Sequence, residues 1–437
     1  MFTTLKNAFK IKDLRSKILF TFAMLIVIRI GSQLPVPGVN GEVFRQWFSE
    51  QSNGAFSFFD AVTGGSFQSM SILALNITPY ITSSIIMQLL TIAIPKLEEM
   101  QRDGEDGRKK IVAITRYVTV ALAVIQSTAM AIGFGRQGYL VNYNALSIIC
   151  SVATLTAGSA FLMWVGERIT EKGIGNGISI VLVINIISRL PEDLKVLFNQ
   201  FVIGKAPATA ILAAAIIIAI IVAMVVLVII LNDGTRKIPV QYANKVQGRK
   251  MVGGNTSNIP LKVNTSGVIP VIFAQSLLQL PIIISSFAGY KGTGVWSEIL
   301  KYLNSTYWCD PKQIKYSIGL LVYILLIIFF AYFYTSITFN PLMIADNMKK
   351  QGGFIPGIRP GKPTSDYLNK VLNYIVFIGA IGLTIVAVLP YFFSGVFKAN
   401  VSFGGTSLII IVSVVLETMK QVESQMLVRN YKGFLEK

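Results

Sequence analysis

Residues 209–231 carry no charged side chain, no amide and no proline, and Ile, Val, Ala and Leu fill almost all of the run. About 20 such residues, each rising 1.5 Å in a helix, cross the roughly 30 Å of hydrocarbon in a bilayer. A helix that is apolar on every side needs an apolar solvent or a complete protein wrapping. Nine further segments read as spans on the same ground: 17–34, 69–94, 111–134, 145–166, 177–190, 268–288, 314–337, 371–393 and 405–415. Only 14% of the residues are charged, against about a quarter in a soluble chain, so the rest of the sequence cannot wrap ten helices in polar surface. A soluble enzyme is excluded, and an all-α polytopic membrane protein is expected.

The loops set the orientation. Alternate loops and tails collect 27 Lys and Arg on one side and 9 on the other, which places both termini in the cytoplasm. The first span leads into Pro35-Val36-Pro37-Gly38 without a small-residue cleavage site, so it is expected to be retained. Five regions follow: a cytoplasmic tail (1–16), a first half (17–190), an external connection (191–208), a second half (209–426) with cytoplasmic loops at 232–266 and 340–370, and a second tail (427–437). Within the loop 232–266, alternating stretches at 237–242 and 259–263 suggest a protruding hairpin.

Two weak internal matches agree in order. Span two and span seven share P-x-I-x6-Q-L, at Pro79-Tyr80-Ile81 with Gln88-Leu89 and at Pro270-Val271-Ile272 with Gln279-Leu280. Span five opens Gly177-Ile178-Ser179-Ile180 and span ten Gly405-Thr406-Ser407-Leu408. Five helices duplicated into ten would give this pairing, and five being odd, the second copy would enter the membrane inverted.

Chemistry, by contrast, is scarce. The chain has no histidine, and its two cysteines, Cys150 and Cys309, lie far apart in different kinds of segment, so both are expected to be free thiols. Arg29, Arg116 and Glu417 sit near span ends and read as snorkelling to the interface. The nearest approach to a phosphate loop, Gly357-Ile358-Arg359-Pro360-Gly361-Lys362-Pro363-Thr364, lacks the required spacing. An intramembrane enzyme therefore has no visible dyad or metal cluster. A secondary transporter with an inverted repeat stays open, although it wants a mid-membrane binding residue. What stands out is polarity without charge. Span two holds Ser69, Ser71, Asn76, Thr78, Thr82, Ser83, Ser84 and Gln88, and spans three and seven add Gln126, Gln275, Ser276 and Gln279, which together suggest a wettable seam between helices.

At these residues the chain resembles the SecY family of protein-conducting channel subunits. The resemblance covers nearly the whole sequence and rests on seven blocks in family order: Leu34-Pro35-Val36-Pro37-Gly38, Gly64-Gly65, Ile77-Thr78-Pro79-Tyr80-Ile81, Gly104-Glu105-Asp106-Gly107-Arg108-Lys109-Lys110, Gly173-Ile174-Gly175-Asn176-Gly177, Pro260-Leu261-Lys262-Val263-Asn264 and Phe354-Ile355-Pro356-Gly357-Ile358-Arg359-Pro360-Gly361. It implies ten transmembrane helices as two inverted five-helix halves around a central pore. Unfolded polypeptides would cross the bacterial plasma membrane through it, or leave sideways into the bilayer. Matched by motif, the constriction would be Ile77, Ile81, Leu182, Ile186, Ile272 and Ile410; Leu182 departs from an isoleucine-rich pattern while keeping its volume. The plug would be 56–67, with Phe56, Phe58, Phe59, Asp60 and Val62 and a hinge at Gly64 and Gly65. The lateral gate would take Thr82, Gln88, Gln126, Gln275, Ser276, Gln279 and Leu280 along spans two, three and seven. Arg249, Lys250 and Arg359 would dock a ribosome or a motor. The implied partners are SecE and SecG small membrane subunits, the SecA motor ATPase, the ribosome, signal-bearing precursor polypeptides and membrane lipids, with no cofactor and no metal.

Overall fold

The computed structural model describes residues 9–435 except 52–59, 61–62, 202, 204–206, 243–244, 248–249, 253–255, 288–293, 312 and 398–404. Helices α1 (Lys12–Gly31) and α2 (Gly41–Gln51) are followed by a run of turns, then α3 (Thr78–Ala93), α4 (Pro95–Arg102), α5 (Glu105–Arg136), α6 (Ala145–Lys172), α7 (Gly177–Phe201) and α8 (Pro207–Asp233). After the strands described below come α9 (Ile269–Phe287), α10 (Val295–Leu303), α11 (Ile318–Thr338), α12 (Pro341–Lys350), α13 (Lys362–Phe397) and α14 (Gly405–Leu435). Every expected span meets a helix.

Several spans depart from their expected bounds: the one expected at 177–190 runs on through Pro191 to Phe201, and the one expected at 371–393 begins at Lys362. The segment 69–77 is turns rather than helix, because Met70 and Asn76 take left-handed backbone angles and Pro79 sets the start of α3. At the other end, Ile94 is extended before Pro95, as a residue preceding proline tends to be, and the chain bends by 106° into α4. At 16 residues α3 is about 24 Å long, short of the hydrocarbon thickness. The last span, expected at 405–415, continues as helix to Leu435 with polar residues after Glu417. By length and apolarity alone, five of the described helices could cross a membrane, or six with the bent α3–α4 pair counted as one.

The packing has an internal echo. In the first group α1 packs on α6 and α7, α3 on α5, α5 on α6, and α6 on α7. In the second, α8 packs on α13 and α14, α9 on α11, α11 on α13, and α13 on α14. Substituting α8, α9, α11, α13 and α14 for α1, α3, α5, α6 and α7 turns the first set of contacts into the second. Helix α8 is the outermost member: only 17% of its most apolar window is buried, as expected of a face turned to lipid.

Strand β1 (Thr235–Tyr242) runs antiparallel to β4 (Thr256–Lys262), with Ile238 opposite Ile259, as the alternation in 237–242 and 259–263 suggests. Between them β2 (Lys245–Gln247) pairs with β3 (Lys250–Val252). The short β5 (Gly353–Phe354), from the other long loop, adds to the free edge of β1 through Gln241 and Phe354. Ile238, Val240 and Leu261 then pack against Ile355 and against Leu368 and Val371 of α13, so the two long loops form one platform.

Candidate functional site

The six residues expected at the constriction come from four helices of both groups, and all six join one apolar cluster. Ile77 caps the N-terminus of α3 and Ile81 lies one turn on; Leu182 and Ile186 are one turn apart on α7; Ile272 comes from α9 and Ile410 from α14. Ile77, Leu182, Ile186 and Ile410 are buried, whereas Ile81 and Ile272, at the matched proline motifs, are partly buried at its edge. A ring of aliphatic side chains offers no hydrogen bond to water or to a hydrated ion, and its members can swing aside on their rotamers.

Some hydroxyls of the expected seam are absorbed within the first group of helices. Thr82 Oγ1 donates to the Thr78 carbonyl at 3.0 Å, and Ser83 shares a 2.5 Å hydrogen bond with Thr119 of α5. Gln275 points into the second group, where its Oε1 accepts from Tyr391 Oη at 2.8 Å. The seam contact itself falls between α9 and α5, while α3 touches α9 at most slightly. Gln126 on α5 leaves a buried Oε1, and Gln279 on α9 a buried Nε2, without a hydrogen-bond partner. One is an acceptor and the other a donor, on two helices that touch. Gln88, Ser276 and Leu280 are exposed, and Ser276 and Leu280 continue the stripe of Ile272 at four-residue steps.

Of the expected plug, Phe56, Phe58, Phe59 and Val62 lie outside the described residues; Asp60, Gly64 and Gly65 lie within them. Asp60 is fully buried. Its Oδ1 accepts from the Gln68 backbone N–H at 2.9 Å, and its Oδ2 is ion-paired with the guanidinium of Arg189 on α7. Arg189 also donates to Gln68 Oε1 at 3.0 Å. Both glycines have positive φ, and Gly64 also allows a close approach, since a Cβ there would stand 2.6 Å from the Asn185 carbonyl oxygen. Asn185 in turn donates to Asn76 Oδ1 at 3.1 Å. Phe67 closes the segment by edge contacts to Phe44 and Phe134, 5.8 and 6.1 Å between centroids.

Arg29 does not snorkel: its Nη1 turns inward to the Gly64 carbonyl at 3.5 Å. Arg116 pairs with Glu167 of α6 at 2.8 Å, and Glu417 is exposed. Sequence reasoning passed over Arg189, although it falls inside the span expected at 177–190. The available signal was a cation inside an otherwise apolar span and a lone Asp in an aromatic segment, two charges that each need a partner if buried.

Arg359 is exposed on the loop after β5, its carbonyl held by Thr364 Oγ1 at 2.8 Å, while Ile355 and Ile358 anchor that loop to the platform. Arg249 and the side chain of Lys250 lie outside the described residues. Cys150 and Cys309 are both free thiols.

Comparison with known proteins adds three kinds of match. A family model described as SecY matches residues 71–419. Proteins named protein translocase subunit SecY are similar over the full length of both chains: 44% identical from Halalkalibacterium halodurans, and 43% from Mycobacterium tuberculosis strain H37Rv. The one from Bacillus subtilis strain 168 is 41% identical, again over both whole chains. Among solved structures, one described as a protein conducting channel superposes with a TM-score of 0.63 at 19% identity, covering 94% of this chain and 92% of that one. Sec61 in a canine ribosome-channel complex gives 0.63 at 18% with the same coverage. At such identities the structures speak for a shared fold.

Proposed function

The chain belongs to the SecY family, and we propose that it forms the pore of a translocase in a bacterial plasma membrane, with both termini in the cytoplasm. It is a protein translocase subunit, and its contribution is passage rather than catalysis. Helices α1, α3, α5, α6 and α7 form one half and α8, α9, α11, α13 and α14 an inverted second half, with the pore between them; the repeated contact pattern supports this arrangement. The external connection proposed at 191–208 then includes the end of α7, to Phe201, and the start of α8, from Pro207, with tails at 1–16 and 427–437.

The observation that carries this reading is the convergence of Ile77, Ile81, Leu182, Ile186, Ile272 and Ile410 in one cluster that draws on both halves. An aliphatic ring resists ions by withholding hydration and yields to an extended chain, so it seals without being rigid. Segment 56–67 is the plug on its outer side. The gate is the seam of α3 and α5 against α9, through which an apolar segment leaves for lipid, driven by its own transfer free energy. A secondary transporter would need a substrate-binding group at mid-depth, and this ring has none.

The platform made by both long loops presents Arg359, with Arg249 and Lys250 on its hairpin, to the ribosome or to the SecA motor, where a guanidinium can pair bidentately with phosphate or carboxylate. Ribosome complexes are known for proteins of this fold. SecE and SecG subunits complete the assembly in the bilayer.

The ring is tested by Ile81→Gly combined with Ile272→Gly, which widens the aperture and should raise resting conductance in planar bilayers by about tenfold or more. Conductance equal to the parent would place these side chains outside the pore. Arg359→Glu should abolish motor-driven export into vesicles while insertion stays normal; undiminished export would leave Arg359 a topology determinant only.

A further inference from the structure

We infer that Arg189 is a positioning residue that makes the seating of the plug conditional on the closed ring, by compensating the buried carboxylate of Asp60. This rests on the channel reading above and goes beyond it by naming what holds the plug and what releases it.

Asp60 has no exposed surface and Arg189 is 14% exposed. A buried carboxylate is costly unless paired, and removing its partner is far worse than removing both. The remaining fastenings of the segment are neutral or weak: Ser188 Oγ and Arg29 Nη1 approach the Gly64 carbonyl at 3.4 and 3.5 Å, and Asn185 bonds Asn76. Among the described residues, Asp60 is the segment's fully buried carboxylate, and its charge is answered from α7.

Placement couples this pair to the pore. Arg189 lies three residues after the ring residue Ile186 on the same helix, less than one turn away. A polypeptide that displaces Ile186 by rotating or tilting α7 must also carry the Arg189 guanidinium off Asp60. The carboxylate, then unpaired, gains by leaving for the water of the outer funnel and takes residues 60–70 with it. Plug release becomes a consequence of ring dilation instead of a separate event.

The charged groups facing Asp60 are Arg189, Glu192 and Asp193 from α7, with Arg29 of α1 on the neighbouring Gly64 carbonyl. Burial, opposed by Arg189 and reinforced by the two acids, lifts the Asp60 carboxyl to about 6. An acid whose affinity for protons is raised in the seated state is stabilised there by protonation, so seating is favoured below that value and weakened as pH rises through it. Without Arg189 this dependence should sharpen.

The experiment is resting conductance of the full translocase complex in planar bilayers. Arg189→Ala should raise it about tenfold at about pH 8. Acidification to about pH 5 should return it towards the parent, as should adding Asp60→Asn, which removes the charge instead of answering it. Arg189→Lys should keep most of the seal. Should Arg189→Ala not accumulate in membranes, Arg189→Gln carries the same test. Parental conductance in the Arg189 variant, or a double variant as leaky as Arg189→Ala at every pH, would overturn the inference. The Ile81→Gly with Ile272→Gly channel, measured alongside, separates the two claims: if it leaks and Arg189→Ala does not, only the Arg189 role fails, and if neither leaks, the channel reading fails and the Arg189 role with it.

Discussion

The two groups of helices meet along two fronts, and the fronts are built differently. On one, α7 packs on α14 and α8, and the loop before α7 sits against α14, with Gly175 close to Thr418. There Leu14, Ile18, Ile174 and Val422 form an apolar knot across α1 and α14, and Lys17 Nζ donates to Gln425 Oε1 at 3.3 Å. On the other, a single seam joins α5 to α9, and buried amide groups of Gln126 and Gln279 stand there without partners. Unmet hydrogen-bonding groups cost free energy in the closed state, whereas a packed apolar knot does not. On the proposed reading the seam is the front that opens and the opposite front is the one that holds.

The largest expected effect comes from locking each front in turn, in a background lacking Cys150 and Cys309. Gln126→Cys with Gln279→Cys, if the Cα atoms come within about 7 Å, should on oxidation stop translocation completely, with recovery on reduction. Lys17→Cys with Gln425→Cys, crosslinked likewise, should leave export at the parental rate. Export through a locked seam would end the sideways-exit mechanism, and arrest by the second lock would show that both fronts move.

A middle-sized effect follows from the amides. Gln126→Leu with Gln279→Leu replaces two unmet polar groups by apolar contact and should stabilise the closed seam by about 1–3 kcal/mol per group. Precursors with weakly apolar signals should then be exported about tenfold more slowly, while strongly apolar signals are little affected; equal slowing of both would point away from the seam. The smallest effect lies on the opposite front. Lys17→Met removes one partly exposed hydrogen bond and should lower thermal stability of the purified complex by under about 1 kcal/mol, with export unchanged. A larger loss of export would mean that this bond takes part in opening.

Much of this architecture is written plainly in the chain. Spans with uniform apolarity, such as α8 and α11, announce themselves because bilayer thickness sets their length. The six residues that share one cluster were picked out only through a family resemblance, since Ile81 or Ile272 alone is indistinguishable from any packing isoleucine. The turns at 69–77 were hidden because their residues are as apolar as a helix would be, and only Asn76 and Pro79 mark the break. Gln275 was assigned to the seam from composition, although its face of α9, shared with Val271 and Ala274, belongs to the second half. Asp60 and Arg189 could each be marked as a charge in need of a partner, but that they partner one another could not, because they are far apart in sequence and meet across a tertiary contact. The joining of the two long loops through β5 and β1 escaped for the same reason.

Every fastening described for segment 60–76, from Arg189 and Asn185 to Arg29, Phe44 and Phe134, comes from the first half alone. The seam can therefore part without drawing on any of them. On the proposed reading, lateral exit and axial passage share α7 and the ring residues of α3 and α9, and differ in whether the fastenings of segment 60–76 are broken. On that reading, a membrane segment leaving through the seam need not unseat the plug, whereas a long soluble chain passing through the ring must.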